Sequence, residues 1–231
     1  MIKSRIAVAS ALLAAAGAAN AGVSATPTIT TDYDFRGLTQ SDEGEAVQLG
    51  VNINMESGVY FGAWASNIEF PSSGFGGQAD AKWELDFSAG YAGGDAEESF
   101  AYDVGAIMYA YPSSNDFKDV YEIYAGITKG WANGKVWVAP DNYGDTSFYV
   151  EGNVTIPLPH GFSVGAHAGY SFGDYWKNSA GEYMDYSLGV TKMLGKFAVN
   201  LKYVDSKDHG DPVVGRTALI GSVSTTFPWA D

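Results

Sequence analysis

Twelve charged or titratable residues stand at strand-like spacings that suit a charged lining. Asp32, Asp34 and Arg36 are two apart, as are Lys82, Glu84 and Asp86, while Asp103, Glu122, Glu151, His167, Asp185 and Lys202 each sit among alternating apolar residues. On an extended chain, side chains two residues apart point the same way, so each set forms a column on one face. Acidic columns inside a channel favour cations, as charged rings do in selectivity filters. Counted with Asp205 near the rim, the acids outnumber Arg36, Lys82 and Lys202 nine to three with His167 neutral. Pairing of a base with a neighbouring acid is the plainer role for any one residue, because buried charges are normally paired. The excess of acid survives that pairing.

Other chemistries fit less well. An outer-membrane lipid hydrolase or acyltransferase needs a nucleophile and a base at a lipid-facing rim. The histidines are His160 in a turn, His167 on an inward face and His209 in a loop, none beside an outward serine and acid. No catalytic residue is therefore assigned. The acidic stretches Asp141–Asp145 and Asp208–Asp211 lack ordered Ca²⁺-ligand spacing and read as solvated loops. No phosphate loop, dinucleotide fingerprint or zinc pattern occurs, so no cofactor or metal is expected.

The elements that hold the columns are strands. Thr28–Leu38 alternates Ile29, Thr31, Tyr33 and Phe35 with Thr30, Asp32, Asp34 and Arg36; Val47–Met55 repeats the pattern, and Glu56-Ser57-Gly58 turns the chain. Val59–Phe70 carries Tyr60, Trp64, Ile68 and Phe70 on its apolar face, and Asp80–Tyr91 carries Trp83, Leu85, Phe87 and Tyr91. Phe100–Tyr111, Val120–Trp131 and a short Lys135–Pro140 follow, then runs through Phe148–Ile156, Phe162–Phe172, Met184–Val190, Phe197–Tyr203 and Thr217–Phe227. These are twelve strands, with connections alternately long and acidic or short. An even strand count with that asymmetry is the pattern of an outer-membrane β-barrel.

A secreted β-sandwich also yields many short alternating strands. Aromatics decide against it, since they cluster near strand ends: Phe35, Phe70, Trp83 and Tyr203 toward the long loops, Tyr60, Tyr91, Phe100, Phe162 and Phe197 toward the short turns. Two such belts mark the two interfaces of a bilayer. Twelve strands close at a backbone diameter of ~24 Å, which inward side chains narrow or fill. The inward glycines Gly50, Gly90, Gly105, Gly126, Gly165, Gly169 and Gly189 either leave space or seat large neighbours.

Residues 1–21 read as a secretory signal peptide, with a basic start, an apolar run over Ile6–Ala18 and Ala19-Asn20-Ala21 before the cut, leaving 22–231 as the barrel domain. That segment removes two of 13 bases and no acid, so 11 bases face 27 acids for a net −16. So acidic a chain does not bind nucleic acid through phosphates. It has no cysteine and hence no disulfide.

Thr31-Asp32-Tyr33-Asp34-Phe35-Arg36-Gly37-Leu38-Thr39-Gln40 resembles the opening signature of the TorF porin family. Gly58-Val59-Tyr60-Phe61-Gly62-Ala63-Trp64-Ala65-Ser66-Asn67 resembles a second segment of that family, and Glu84-Leu85-Asp86-Phe87 with Gly90-Tyr91 a third. The similarity spans most of the chain after residue 21. It implies an all-β, antiparallel transmembrane barrel in the bacterial outer membrane with a pore function, without naming a substrate. Taken with the acidic lining, the expected function is passive diffusion of small solutes or ions with a mild preference for cations. Expected partners are outer-membrane lipid, lipopolysaccharide and the barrel-assembly machinery, the last through a terminal strand ending at Phe227. A structural or adhesive barrel without an open pore is the alternative.

Overall fold

The computed structural model describes residues 22–70, 81–112, 114, 117–207 and 216–229. The stretch 1–21 expected as a signal peptide, residues 71–80, and Asp208–Asp211 with His209 lie outside the described residues. The strands are β1 (Gly22–Thr30), β2 (Asp34–Phe35), β3 (Leu38–Thr39), β4 (Ala46–Asn54), β5 (Val59–Asn67), β6 (Trp83–Gly94) and β7 (Ala101–Ala110). They continue as β8 (Val120–Lys129), β9 (Ala132–Asn142), β10 (Asp145–Leu158), β11 (Phe162–Phe172), β12 (Tyr183–Leu194), β13 (Phe197–Lys207) and β14 (Thr217–Thr225). All but β2 and β3 form one closed antiparallel barrel, in the order β1-β14-β13 and so on down to β4, which returns to β1. Twelve wall strands is the number expected. The pair β2–β3 is a separate small hairpin.

Closure follows from the pleat. Along the wall strands one set of side chains is largely exposed and apolar and the alternate set is buried or half-buried; Val47, Leu49 and Ile53 on β4, and Leu188 and Val190 on β12, belong to the outer set. A sheet with one apolar and one polar face, closed on itself, puts the polar face inside and leaves no edge unpaired. The seam is short: Thr28↔Ser224, Ile29↔Val223 and Thr30↔Ser222 pair, and Ala25↔Phe227 bridges farther along. Pro27 stands between the two paired stretches and has no N–H to give. Phe227 thus pairs with β1 beyond the end of β14, exchanging N–H···O bonds of 3.0 and 2.8 Å with Ala25.

Three expectations are corrected. First, the wall strand does not run to Leu38. The chain leaves the wall after Thr30 and turns into the barrel, where Arg36 and Gly37, at φ 52° and 78°, reverse it between β2 and β3. Alternation persists beyond residue 30 because a hairpin alternates too. Tyr33 joins the buried cluster of Ala46, Trp64, Ile68, Phe70 and Ala81, and Phe35 packs against it. Second, Tyr60, Trp64, Ile68 and Phe70 face inward, not to lipid. Antiparallel partners share a face, and Trp64 is opposite Asp86 while Tyr60 is opposite Gly90. Third, β9 spans 11 residues, and only Tyr143–Gly144 joins it to β10. Both turn residues have positive φ, 55° and 100°, as a tight two-residue hairpin requires. The acidic stretch there is therefore mostly strand.

The belts keep most of their members. Trp83 and Tyr203, with Tyr121 and Tyr143, are exposed toward the long connections; Tyr91, Phe100, Phe162 and Phe197, with Trp131, are exposed toward the short turns. Phe35, Phe70 and Tyr60 leave them for the interior. After β11 the chain forms a short helix, α1 (Asp174–Asn178), whose Trp176 meets Tyr183 edge-on at 4.9 Å.

Candidate functional site

The site is the lumen, and its main feature is the inner segment 31–45. Asp32 anchors the segment locally, accepting from Thr39 Oγ1 (2.8 Å) and Ser41 Oγ (3.2 Å), while Tyr33 N–H donates to Ser41 Oγ (2.9 Å). From the tip, the Arg36 guanidinium reaches across to β8 and donates twice to Glu122, 2.7 Å to each oxygen. This bidentate geometry suits a planar fork meeting a carboxylate. The same guanidinium lies 4.3 Å from the ring centre of Tyr149, 4.7 Å from Phe35 and 5.5 Å from Trp137. Gly37 rests against β12 and β13: a Cβ there would stand 2.7 Å from Asp185 Cβ and 2.9 Å from Ser206 Cβ. Only glycine fits this tip, by both φ and space.

Four clusters bind the segment and the wall. Arg216 donates to Asp32 (2.5 Å) and Asp34 (3.5 Å), and Lys202 donates to Asp34 (3.0 Å). Arg36 holds Glu122, which also accepts from Tyr109 (2.8 Å). Lys135 donates to Asp103 (2.6 Å), which accepts from Tyr60 (2.6 Å); the Tyr60 and Tyr124 hydroxyls are in turn hydrogen-bonded. His167 meets Asp185 (2.7 Å), Asn153 (2.7 Å) and Tyr149 (3.0 Å), with Glu151 3.6 Å away. Glu151 also accepts from Trp137 (2.8 Å) and Asn153 (3.0 Å). Glu84 and Asp86 stand apart, buried side by side on β6, and Glu84 receives only a 3.5 Å contact from Tyr33.

The expected lining residues are therefore distributed as follows. Asp32, Asp34 and Arg36 are inside the barrel but on the inner segment, not on a wall strand. Glu84, Asp86, Asp103, Glu122, Glu151, His167, Asp185 and Lys202 are on inward wall positions. Lys82 is not in the column: it precedes β6 at the long-loop rim, its side chain is 61 % exposed, and Glu69 is 3.9 Å away. Asp205 is on the outer face, where it takes hydrogen bonds from Tyr186 and Tyr203.

Two interior bases were not anticipated, Lys135 and Arg216. Lys135 was legible, since it shares parity with Trp137 and Ala139 on a strand whose other face carries Val136 and Val138. Arg216 precedes β14 and had no such signal. Among the described residues the interior thus holds eight acids (Asp32, Asp34, Glu84, Asp86, Asp103, Glu122, Glu151, Asp185) against four permanent bases (Arg36, Lys135, Lys202, Arg216).

The interior is lopsided. On the β5–β10 side Tyr60, Tyr109, Tyr124, Trp137 and Tyr149 form a buried aromatic cluster with Ile107. Gly90, Gly105 and Gly169 lie directly beneath the phenols of Tyr60, Tyr124 and Tyr149, so these inward glycines seat large neighbours. On the opposite side, through β11–β14, β1 and β4, many inward residues are small or polar, among them Gly165, Ser187, Asn200, Ser222, Thr28 and Asn52, with Tyr183, Val204 and Ile220 the buried apolar side chains among them.

A family model described as a bacterial protein of unknown function, Gcw_chp, matches residues 14–225. The chain belongs to the Gcw_chp family. No curated protein matches it. Among solved structures, this Gcw_chp barrel is similar to a KdgM porin in complex with disordered oligogalacturonate, at TM-score 0.55 and 8 % identity over 90 % of this chain and 99 % of that one. It is similar to the NanC porin at TM-score 0.53 and 9 % identity, covering 90 % of this chain and 100 % of that one. A COG4313 outer-membrane channel from Pseudomonas putida F1 matches at TM-score 0.51 and 10 % identity, over 94 % and 99 %. At these identities the likeness is one of fold: the Gcw_chp barrel has the architecture of outer-membrane channels.

Proposed function

We propose that the chain is a porin-like channel of the bacterial outer membrane, passing small solutes or ions by diffusion with a mild preference for cations. The observation that carries this reading is the charged interior, in which, among the described residues, eight acids face four permanent bases, and small and polar residues predominate along the β11–β4 side. Excess fixed negative charge along a bore concentrates cations and excludes anions. The fold likeness to porins and the resemblance to the TorF family point the same way, as does the pairing of Phe227 with β1 at the seam where the barrel-assembly machinery would act. Lipid and lipopolysaccharide are the partners such an outer face requires. Reconstitution in planar bilayers tests the proposal: unitary conductance steps are expected, with a reversal potential in a salt gradient that favours cations. An anion-favouring reversal potential would overturn the selectivity.

A second reading has its own support. The inner segment is clamped at its tip by the Arg36–Glu122 pair and at its root by Arg216, and the aromatic cluster fills one side of the interior. A structural or adhesive barrel without an open bore would use the same clamps. Folded, heat-modifiable protein that gives no conductance steps would favour it.

A further inference from the structure

We propose that Glu84 and Asp86 share one proton, and that this proton keeps the inner segment seated in the barrel. Every other described interior acid has a base or His167 within reach. Arg216 and Lys202 take Asp32 and Asp34, Arg36 takes Glu122, Lys135 takes Asp103, and His167 lies beside Asp185 and Glu151. Glu84 and Asp86 are left over. They are 3 % and 1 % exposed, two apart on one face of β6, and Glu84 Oε2 and both Asp86 oxygens have no donor.

Among the described residues, those that face the pair supply no positive charge. Ser66 and Trp64 of β5 and Tyr109 of β7 are their cross-strand partners. The titratable groups that face them are Tyr33 from the inner segment, Tyr109 of β7 and Tyr111 just beyond it, and Glu122 of β8. All are phenols or acids, and Glu122 is already held by Arg36. Lys82, next on the same face, lies at the rim with Glu69 3.9 Å away. Two adjacent carboxylates in a dry site cannot both stay ionised without a counter-charge. One proton resolves both problems, because the protonated group donates to its neighbour and the pair carries a single charge.

Loss of that proton leaves two like charges whose nearest remedy is water. Of the groups that face them, Tyr33 is the one carried by the inner segment and the one within 3.5 Å of Glu84; it packs against Trp64 with ring centres 5.1 Å apart and is tied to Gln40 through a 2.7 Å backbone hydrogen bond. Hydrating the pair therefore means lifting this end of the inner segment. The seated form prevails at low pH, while the proton is bound, and the lifted form prevails as pH rises through its loss. The bore of the proposed channel widens with it, a consequence that rests on the pore reading.

Full-length protein in vesicles gives two readouts independent of conduction. Infrared spectra should show a carboxylic-acid C=O band that fades as pH rises and is missing from Glu84→Gln/Asp86→Asn. The chain has no cysteine, so Gln40→Cys gives a single thiol beside Tyr33. Its labelling by a small water-soluble reagent should rise at least tenfold across the band's midpoint, relative to the same cysteine in the neutral double variant, which cancels the thiol's own titration. An identical acid band in both proteins, or none in either, overturns the shared proton. A band that titrates while the labelling ratio stays flat overturns its hold on the segment. If the double variant does not fold, Asp86→Asn alone is read the same way. In bilayers, conductance should rise over the same pH range; a chain that never conducts removes the pore reading and leaves the other two measurements to decide.

Discussion

β5 and β6 lie side by side, hydrogen-bonded from Val59↔Tyr91 to Asn67↔Trp83, yet they send their large aromatics opposite ways. Trp83, Phe87 and Tyr91 of β6 are on the outer face, whereas Tyr60 and Trp64 of β5 are buried inside. Alternation states a period and says nothing about which face is which. On β6 the sign is set by Glu84 and Asp86, which cannot face hydrocarbon. β5 carries no charge: one face is Tyr60, Gly62, Trp64 and Ser66, the other Val59, Phe61, Ala63 and Ala65, and either could meet lipid. The register decides. Trp64 must follow Asp86 inward, and Tyr60 must follow Gly90, whose missing side chain leaves room for the phenol. A strand's facing is thus a property of the pair when its own residues are undecided.

The contrast between inner and outer faces can be broken most severely from inside. Lys135 is 3 % exposed and holds Asp103 at 2.6 Å. Lys135→Met keeps the side chain's bulk but leaves that carboxylate without its base, which costs ~3–5 kcal/mol for a buried pair broken on one side. The expected readout is a lowered urea midpoint for folding into lipid vesicles, largely restored by Lys135→Met/Asp103→Asn. A smaller effect tests the facing of β5. Ala63 is the cross-strand partner of Phe87 on the outer face, so Ala63→Arg and Phe87→Arg should each cost ~2–4 kcal/mol near the bilayer midplane. An arginine at 63 that cost nothing, beside a costly one at 87, would mean that β5 faces the other way.

Much of the barrel was legible because β-alternation needs no context where one face is charged. Strands such as β4, β10 and β12 keep the parity read from Val47, Phe148 and Met184. The inner segment was not legible as such, since Thr31 to Phe35 alternates as well in a hairpin as in a wall strand. What betrays it is Arg36-Gly37, where two successive residues take positive φ, and the need of Asp32 and Asp34 for Lys202 and Arg216 more than 160 residues away. Such long-range pairings leave no local pattern. The short β9–β10 turn escaped for a different reason: Asn142 and Asp145 read as loop by type, yet they pair with each other, and Asp141 lies within β9 at the register shift beside them.

Lys82 supplies the mildest and most discriminating comparison. By sequence it belongs to the same column as Glu84 and Asp86, and by structure it is a rim residue 3.9 Å from Glu69, both side chains mostly exposed. Exposed pairs of this kind contribute little, because each charge is already well solvated and salt screens the attraction. Lys82→Ala should therefore leave the urea midpoint within about 0.5 kcal/mol of the parent and leave the reversal potential unchanged. Lys202→Ala, which strips Asp34 of a 3.0 Å partner inside the barrel, should shift that potential further toward cations. A selectivity shift at Lys82 equal to that at Lys202 would put Lys82 back in the lumen, and the carboxylates beside it would then have the base that the structure denies them.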